Sequence, residues 1–575
     1  MLRIYLHKKL VLNLLFLFFI LFKPSFLLAS DLDSSYTNTK SNMLKNVSFN
    51  GSLSFNNIFY SSNSSSPQRV PYSYQIFGSA TIRAYGVSLP FSFIYSEQER
   101  SFSQPFNKFG ISPQYKWIKL HIGYRNLTYS PFTLGGYSFL GVGADLTPGK
   151  FRFSFMKGQF MRAISSYTDT LGYPISYKRK GFAGKIGWGT NANHVDLIFL
   201  RVKDDYAGQP VDSLTGSVTP GENSVLGASF NFLLWKYFTL SGDYATSLYT
   251  QNILAADYLG YHDTLKNYVG GGIAGLFDVN STTRVYNAFQ TTIAYDKKIY
   301  GVRFTGRRID PGYLSFGTYY FQDDILSATI NPFFQLFKSR VIVDGSIGLQ
   351  QDNLSHQKTS TTNRIIGSVN LNIVPKPNYG ITIQYINYTT GQRSTVVQAK
   401  DTLYQGYVSE NISVMPRYSI IKQKMSHNFF VLYSYQQLFD QNIYTAQYTN
   451  FGNNIMSASY NLSLSEKKSG YTLTLQQVSS KSSATAYNMK GLTFAYTKSF
   501  WKGKANSYSS VSDNFNYLNN SYAYNTIMLN TTLGMKVYKG HQLNVTGYYI
   551  FNNSKISSMS TNYQLSIQVG YTYVF

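Results

Sequence analysis

Cysteine is absent from the 575 residues. That excludes a disulfide framework, thiolate catalysis and Cys-ligated metals, and it removes the acylation site of a lipoprotein. Charge is scarce. Asp, Glu, Lys and Arg make up 13% of the chain, against about 25% in an ordinary soluble domain. Acids are scarcest: 26 Asp and Glu face 51 Lys and Arg, for a formal net charge of +25. Beyond the first two dozen residues no apolar run reaches the ~20 residues of a helical membrane span. The seven histidines (His7, His121, His194, His262, His356, His427 and His541) are too far apart for metal-ligand spacing. No G-x-S-x-G elbow and no Walker loop occurs, and Gly141-Val142-Gly143 lacks the third glycine of a dinucleotide loop. No nucleic-acid motif accompanies the basic charge. The expectation is a protein that is not an enzyme, with no metal, no cofactor and no nucleic-acid partner.

What the chain does have is aromatic and neutral-polar bulk. Tyr (51) and Phe (42) lift the aromatic content to 17%, with 44 Gly. The mean hydropathy is nevertheless −0.19, because Ser, Thr, Asn and Gln fill the places that charges usually take. Disordered chains are poor in aromatics. This composition suits a protein with one apolar and one neutral-polar surface.

The N-terminus reads as a secretory signal peptide over 1–30. Arg3, Lys8 and Lys9 precede the apolar run Leu10–Phe22, and small residues Ala29 and Ser30 follow. The run is short for a membrane anchor. Residues 31–46 form a short N-terminal segment, and alternation begins at Val47.

From there the hydrophobic period is two. In Tyr563–Phe575, residues Tyr563, Leu565, Ile567, Val569, Tyr571, Tyr573 and Phe575 fall on one face, and Gln564, Ser566, Gln568, Gly570 and Thr572 on the other. Ile365–Ile373, Val341–Leu349, Tyr471–Gln476 and Leu543–Phe551 repeat the pattern. A sandwich strand also alternates. Here, however, the signal runs for over 500 residues without a helical stretch, and the apolar faces end in Tyr and Phe, as interfacial girdles require. The expectation is an all-β fold, a single large transmembrane antiparallel β-barrel over 47–575. About 24 strands fit, with 26 as the alternative, since single-chain bacterial barrels usually take even numbers. Short polar turns such as Pro375–Asn378, Trp501–Lys504 and Lys539-Gly540 fall on the periplasmic side. Longer connections near 98–112, 203–222, 249–286 and 391–404 fall outside the cell.

The ending Gly570-Tyr571-Thr572-Tyr573-Val574-Phe575 resembles the C-terminal assembly signal of outer-membrane barrels. The resemblance implies delivery to the barrel-assembly machinery through Tyr571, Tyr573 and Phe575, and a place in the outer membrane of a Gram-negative cell. A barrel this wide is not filled by its own strand side chains, and residues 31–46 are too few for a plug domain. Loops folded inward, or a plug or periplasmic partner, are then expected to close it.

Two segments stand out from generic strands. Residues 105–163 are dense in Gly, Pro, Arg and aromatics, including Phe109–Trp117, Gly123–Asn126, Tyr129–Gly136 and Pro148–Phe153. The second is Arg307-Arg308-Ile309-Asp310-Pro311-Gly312-Tyr313 with Gly317, Tyr319, Tyr320, Asp323 and Asp324 following. These phrases resemble a group of large outer-membrane barrels of the Bacteroidota, a likeness that brings no activity with it. One reading makes them turns, bulges and an inward fold. The other makes them a basic constriction of Lys119, His121, Arg125, Lys150, Arg152, Arg303, Arg307 and Arg308, which would favour anions. Asp145, Asp310, Asp323 and Asp324 are acids that could neutralise it. The remaining cations are expected in loops, against the phosphates of lipopolysaccharide and lipid.

The function expected is a porin-like channel for small hydrophilic, and in the basic reading anionic, solutes. The alternatives are an export barrel closed by a partner and a structural or adhesive surface barrel.

Overall fold

The computed structural model describes residues 47–64, 67–96, 108–163, 176–206, 218–256, 279–319, 322–394, 404–555 and 561–575. The expected signal peptide over 1–30 and the segment 31–46 lie outside these. Among the described residues no helix is long and apolar enough to cross a membrane.

Each strand pairs antiparallel with the next, and the first, Val47–Ser62, pairs with the last, Asn562–Val574, so the sheet closes on itself. Closure removes the unpaired edges that a bilayer core could not satisfy. The seam is tied by reciprocal backbone hydrogen bonds between Gly51 and Phe575, both 3.0 Å, and by stacked rings of Phe49 and Phe575 with centroids 4.5 Å apart. Gly51 has to be glycine there: a β-carbon would lie 2.7 Å from the Phe575 ring and 2.4 Å from the Ser79 carbonyl oxygen.

The barrel has 26 strands, the alternative count. Lys108–Ile111 and Gln114–Tyr115 together make one strand, broken at Ser112-Pro113, where proline cannot join the ladder. That break hides its alternation, which is why the stretch 98–112 reads from sequence as a long connection. Twenty-six strands, about 4.8 Å apart and tilted about 40°, close a cylinder roughly 50 Å across.

The register assigns the faces. Leu120, Val142, Ile186, Leu197, Phe289, Phe304, Ile330, Ile347, Leu473 and Leu529 share the outer face and are exposed, as a lipid-facing band must be. Away from the arc of strands between Gly135 and Ile309, the inner face is mostly neutral and polar. Its neighbours bond across strands, as in Ser54–Thr572 (2.9 Å), Asn331–Ser346 (2.8 Å), Ser459–Thr474 (2.9 Å) and Thr493–Ser512 (2.8 Å). This is how a chain short of charge keeps a negative hydropathy.

The wall is uneven. Most strands from Tyr72 to Gln351 have 10–14 residues, whereas Ser360–Lys376, Gln405–Ile421 and Ser521–Tyr538 have 17, 17 and 18. Twelve tight turns lie at the end that holds Val47 and Phe575, and the longer connections lie at the other.

Candidate functional site

The main cluster of buried apolar residues does not ring the barrel. It lies on one arc of the inner wall, in the strands from Gly135–Leu146 to Tyr300–Ile309. Tyr137, Phe139, Met156, Phe160, Leu200, Val202, Val225 and Ile309 face inward there and are almost fully buried. What covers them is two connections folded into the lumen: Tyr129–Leu134, and the stretch from Asp310 to Tyr319.

These belong to the two segments that stand out in the sequence, and the fold brings them into contact. The Tyr313 hydroxyl donates to the Phe132 carbonyl at 2.6 Å, and the Ser315 hydroxyl to the Thr133 carbonyl at 2.5 Å. The Gly135 amide donates to the Gly317 carbonyl at 3.0 Å. Tyr319 stacks on Tyr137 at 4.4 Å. Glycine makes the seat. A β-carbon on Gly227 would lie 2.6 Å from Thr133 Cγ2, and one on Gly317 would lie 2.4 Å from the Thr133 carbonyl oxygen.

Polar anchors fix this core to the wall. Fully buried Asn223 donates to Ser247 Oγ (2.8 Å) and to the Leu248 (3.1 Å) and Leu314 (3.3 Å) carbonyls, and accepts from the Phe316 amide (3.0 Å). Arg179 lies flat over the Phe316 ring at 3.4 Å and forks onto Asp204 at 2.7 and 3.1 Å. Burial pushes the ionisation of Tyr129 and Tyr313 well above the usual tyrosine range, so both remain hydroxyl groups at any physiological pH.

Lys119, His121, Arg125, Arg152, Arg303 and Arg307 lie at inward register positions. Lys150 lies in the turn after Pro148, exposed at the rim. Arg308 is paired across from Phe289 on the outer face. Two adjacent strand residues cannot share a face, and the register gives the inward place to Arg307.

Most inward cations meet acids. His121 Nε2 is 2.8 Å from Asp145, whose other oxygen accepts from Ser154, itself 2.7 Å from the Tyr129 hydroxyl. Arg152 forks onto Asp196 at 2.8 and 3.0 Å, with Lys185 3.6 Å from the same carboxylate. Arg303 is 3.6 Å from Asp296. Arg307 instead donates to the Gln290 amide oxygen at 2.7 Å and is exposed to the lumen. Arg125 covers Gly110, where a β-carbon would lie 2.5 Å from its guanidinium. Of the expected basic ring, His121, Arg152 and Arg303 therefore meet acids and Lys119 lies near Asp145, whereas among the described residues Arg125 and Arg307 have no ion pair, and Arg307 is the more exposed of the two. Asp310 pairs with Arg308, and Asp324 with Lys358.

Sequence reasoning misses Asp196, Arg179, Asp204 and Asn223. A lone acid at an inward place in the otherwise apolar run Val195–Leu200 is a signal for Asp196; nothing local marks Asn223.

Ser112, His121 and Asp145 stand in the order of a nucleophile, base and orienting acid, with Ser112 Oγ 3.3 Å from His121 Nδ1. The serine and the ring are both buried, at 8% and 2% exposure. The arrangement clamps the broken strand to its neighbours. Among the described residues no group of three or more His, Cys, Asp or Glu could hold a metal ion.

No family model and no curated protein sequence matches the chain. Solved structures similar to the barrel include the translocation pore of the P pilus usher PapC, with 10% identity over 92% of this chain and 99% of that one (TM-score 0.36). The FrpB iron transporter of Neisseria meningitidis shares 11% identity over 93% and 82% (0.38). Pseudomonas aeruginosa OccK3 shares 8% over 94% and 100% (0.30). These values carry no activity over to this chain.

Proposed function

We propose that the protein is an outer-membrane channel of porin type for small hydrophilic solutes, narrowed on one side by the inward core and drawing anions mainly through Arg307. The observation that carries this is the one-sided core. Its buried side chains hold the arc from Gly135–Leu146 to Tyr300–Ile309, while the opposite wall presents neutral Ser, Thr and Asn to the lumen. A partly filled water-lined lumen suits diffusion, and a carboxylate-free guanidinium within it favours anions.

The apolar outer band supports a membrane location. Short turns at the end holding Val47 and Phe575 support a periplasmic place for that end, since bacterial barrels have short periplasmic turns and longer outer loops. In this reading residues 1–30 direct secretion, Tyr571, Tyr573 and Phe575 direct the barrel-assembly machinery, and the source is a Bacteroidota cell. No catalytic step is assigned.

The test is single-channel conductance of the refolded protein in a planar bilayer under a salt gradient. Steady conductance with modest anion preference is expected. Very large, unstable openings would move the reading to an export barrel closed by a partner, and silence would move it to a structural or adhesive barrel.

A further inference from the structure

The net charge is not spread over the barrel. Between strands at the end that holds Val47 and Phe575, nine of the twelve turns carry Lys or Arg, fourteen cations against the single carboxylate of Glu466. At the other end the described connections balance: Arg69, Arg162, Lys358 and Lys555 against Asp310, Asp323, Asp324 and Asp352. The cation excess therefore sits opposite to where contact with lipopolysaccharide would place it.

The same turns carry exposed rings beside the cations. Lys116-Trp117, Trp235-Lys236-Tyr237, Phe337-Lys338, Trp501-Lys502 and Tyr538-Lys539 each join the two types, and Trp235 is 81% exposed. All four tryptophans of the chain lie at this rim, the fourth being Trp188 at the end of its strand. Several ammonium groups are held against ring faces: Lys116 at 5.2 Å from the Tyr115 centroid, Lys236 at 5.5 Å from Tyr237, and Lys297 at 5.7 and 5.3 Å from Tyr237 and Tyr300.

The backbone adds an independent observation. Positive φ suits glycine and, next, Asn, Asp and His. Among the described residues the far rim follows that rule: Asp324, Asn353, His356, Asn519 and Asn520 hold its positive-φ positions outside glycine. The terminal rim does not. Tyr85, Lys116, Trp235, Phe337, Lys338, Ser339, Lys468, Trp501 and Lys502 hold them there, with φ from 42° to 64°. Strained conformations kept with costly residues point to a role for those side chains beyond folding.

We infer that this rim is a binding collar for the headgroups of anionic phospholipid in the facing leaflet. The rings sit at headgroup depth and the ammonium groups meet the phosphates, as juxtamembrane lysines do on anionic leaflets. An acidic protein partner would need the charges but not the exposed rings beside them. The inference rests on the membrane-barrel reading, with Val47 and Phe575 on the periplasmic side.

The test uses the full purified chain in detergent, with phosphatidylglycerol or phosphatidylethanolamine added and retained lipid counted by native mass spectrometry. Wild type is expected to keep phosphatidylglycerol preferentially. Combined Lys116→Gly, Lys338→Gly and Lys502→Gly relieve the strained turns, so this variant should fold at least as well while losing phosphatidylglycerol several-fold. Arg69→Gln with Lys555→Gln at the far rim should leave retention unchanged. Equal retention by wild type and the collar variant overturns the inference, as does a collar variant that loses only binding to soluble polyglutamate. Heat-dependent gel mobility is read on the same samples. If wild type lacks it, the barrel reading itself fails, separately from the lipid result.

Discussion

The hydroxyl of Tyr313 reaches the carbonyl oxygen of Phe132 at 2.6 Å, joining two inward connections that lie 181 residues apart in the chain. Replacing Tyr313 by Phe leaves that buried carbonyl without its donor, at about 1–3 kcal/mol. Single-channel records of Tyr313→Phe are expected to show larger or noisier conductance than wild type. Indistinguishable records would mean that the inward core does not limit the pore.

Gly227 leaves room for Thr133. Gly227→Ala puts a methyl group 2.6 Å from Thr133 Cγ2, and such overpacking costs about 1–3 kcal/mol. Adding Thr133→Ser removes the clashing methyl group, so the double variant should recover most of the loss in urea unfolding. If the double variant is no better than Gly227→Ala alone, the two residues are not in contact.

Arg307 and Arg152 separate conduction from stability. Arg307→Gln is expected to lower the anion preference read from zero-current potentials, with little effect on folding. Arg152→Gln strips the main partner from Asp196, which is 3% exposed, and breaking such a buried pair costs about 3–5 kcal/mol. Its folded, fast-migrating gel band should convert to the unfolded form at lower temperature. A stable Arg152→Gln, or an Arg307→Gln of unchanged selectivity, would reverse the assignment.

Phe575 closes the seam on Phe49. Phe575→Ala forfeits the stack, about 0.5–1.5 kcal/mol beyond the buried area, and the outer-membrane fraction should contain less assembled barrel. Equal amounts would take the ring out of assembly.

Asp324 gives a pH dependence. Burial opposes its ionisation, but the Lys358 ammonium and the amides of Leu354 (2.8 Å) and Asn353 (2.9 Å) outweigh that and hold its carboxyl below the usual carboxylate value. The stabilisation is complete above the unfolded pKa of about 3.9 and fades as pH falls through the lower folded value. Hydrogen exchange at Asn353 and Leu354 should stay flat from neutral pH to about 4, after allowing for the intrinsic rate, and rise below. Asp324→Asn should raise it at neutral pH. Loss of protection near pH 6 would require a different group.

A period-two pattern depends only on neighbouring residues, because successive strand side chains must point to opposite faces. The sequence alone therefore determined the all-β class, the barrel, the apolar outer face and the inward places of Lys119, His121 and Arg152. It also marked Tyr129–Gly136 and Arg307–Tyr313 as unusual, since Gly and Pro interrupt the alternation there. Pairing across the sheet is not local, and only the tertiary structure decided what depends on it. That includes the contact of the two inward connections, the Asp196 and Asp145 partners that meet Arg152 and His121, and the outward place of Arg308. The cation excess was plain in the composition. Its concentration at one rim appeared only when the strands were laid side by side, because alternate connections along the chain lie at opposite ends of the barrel.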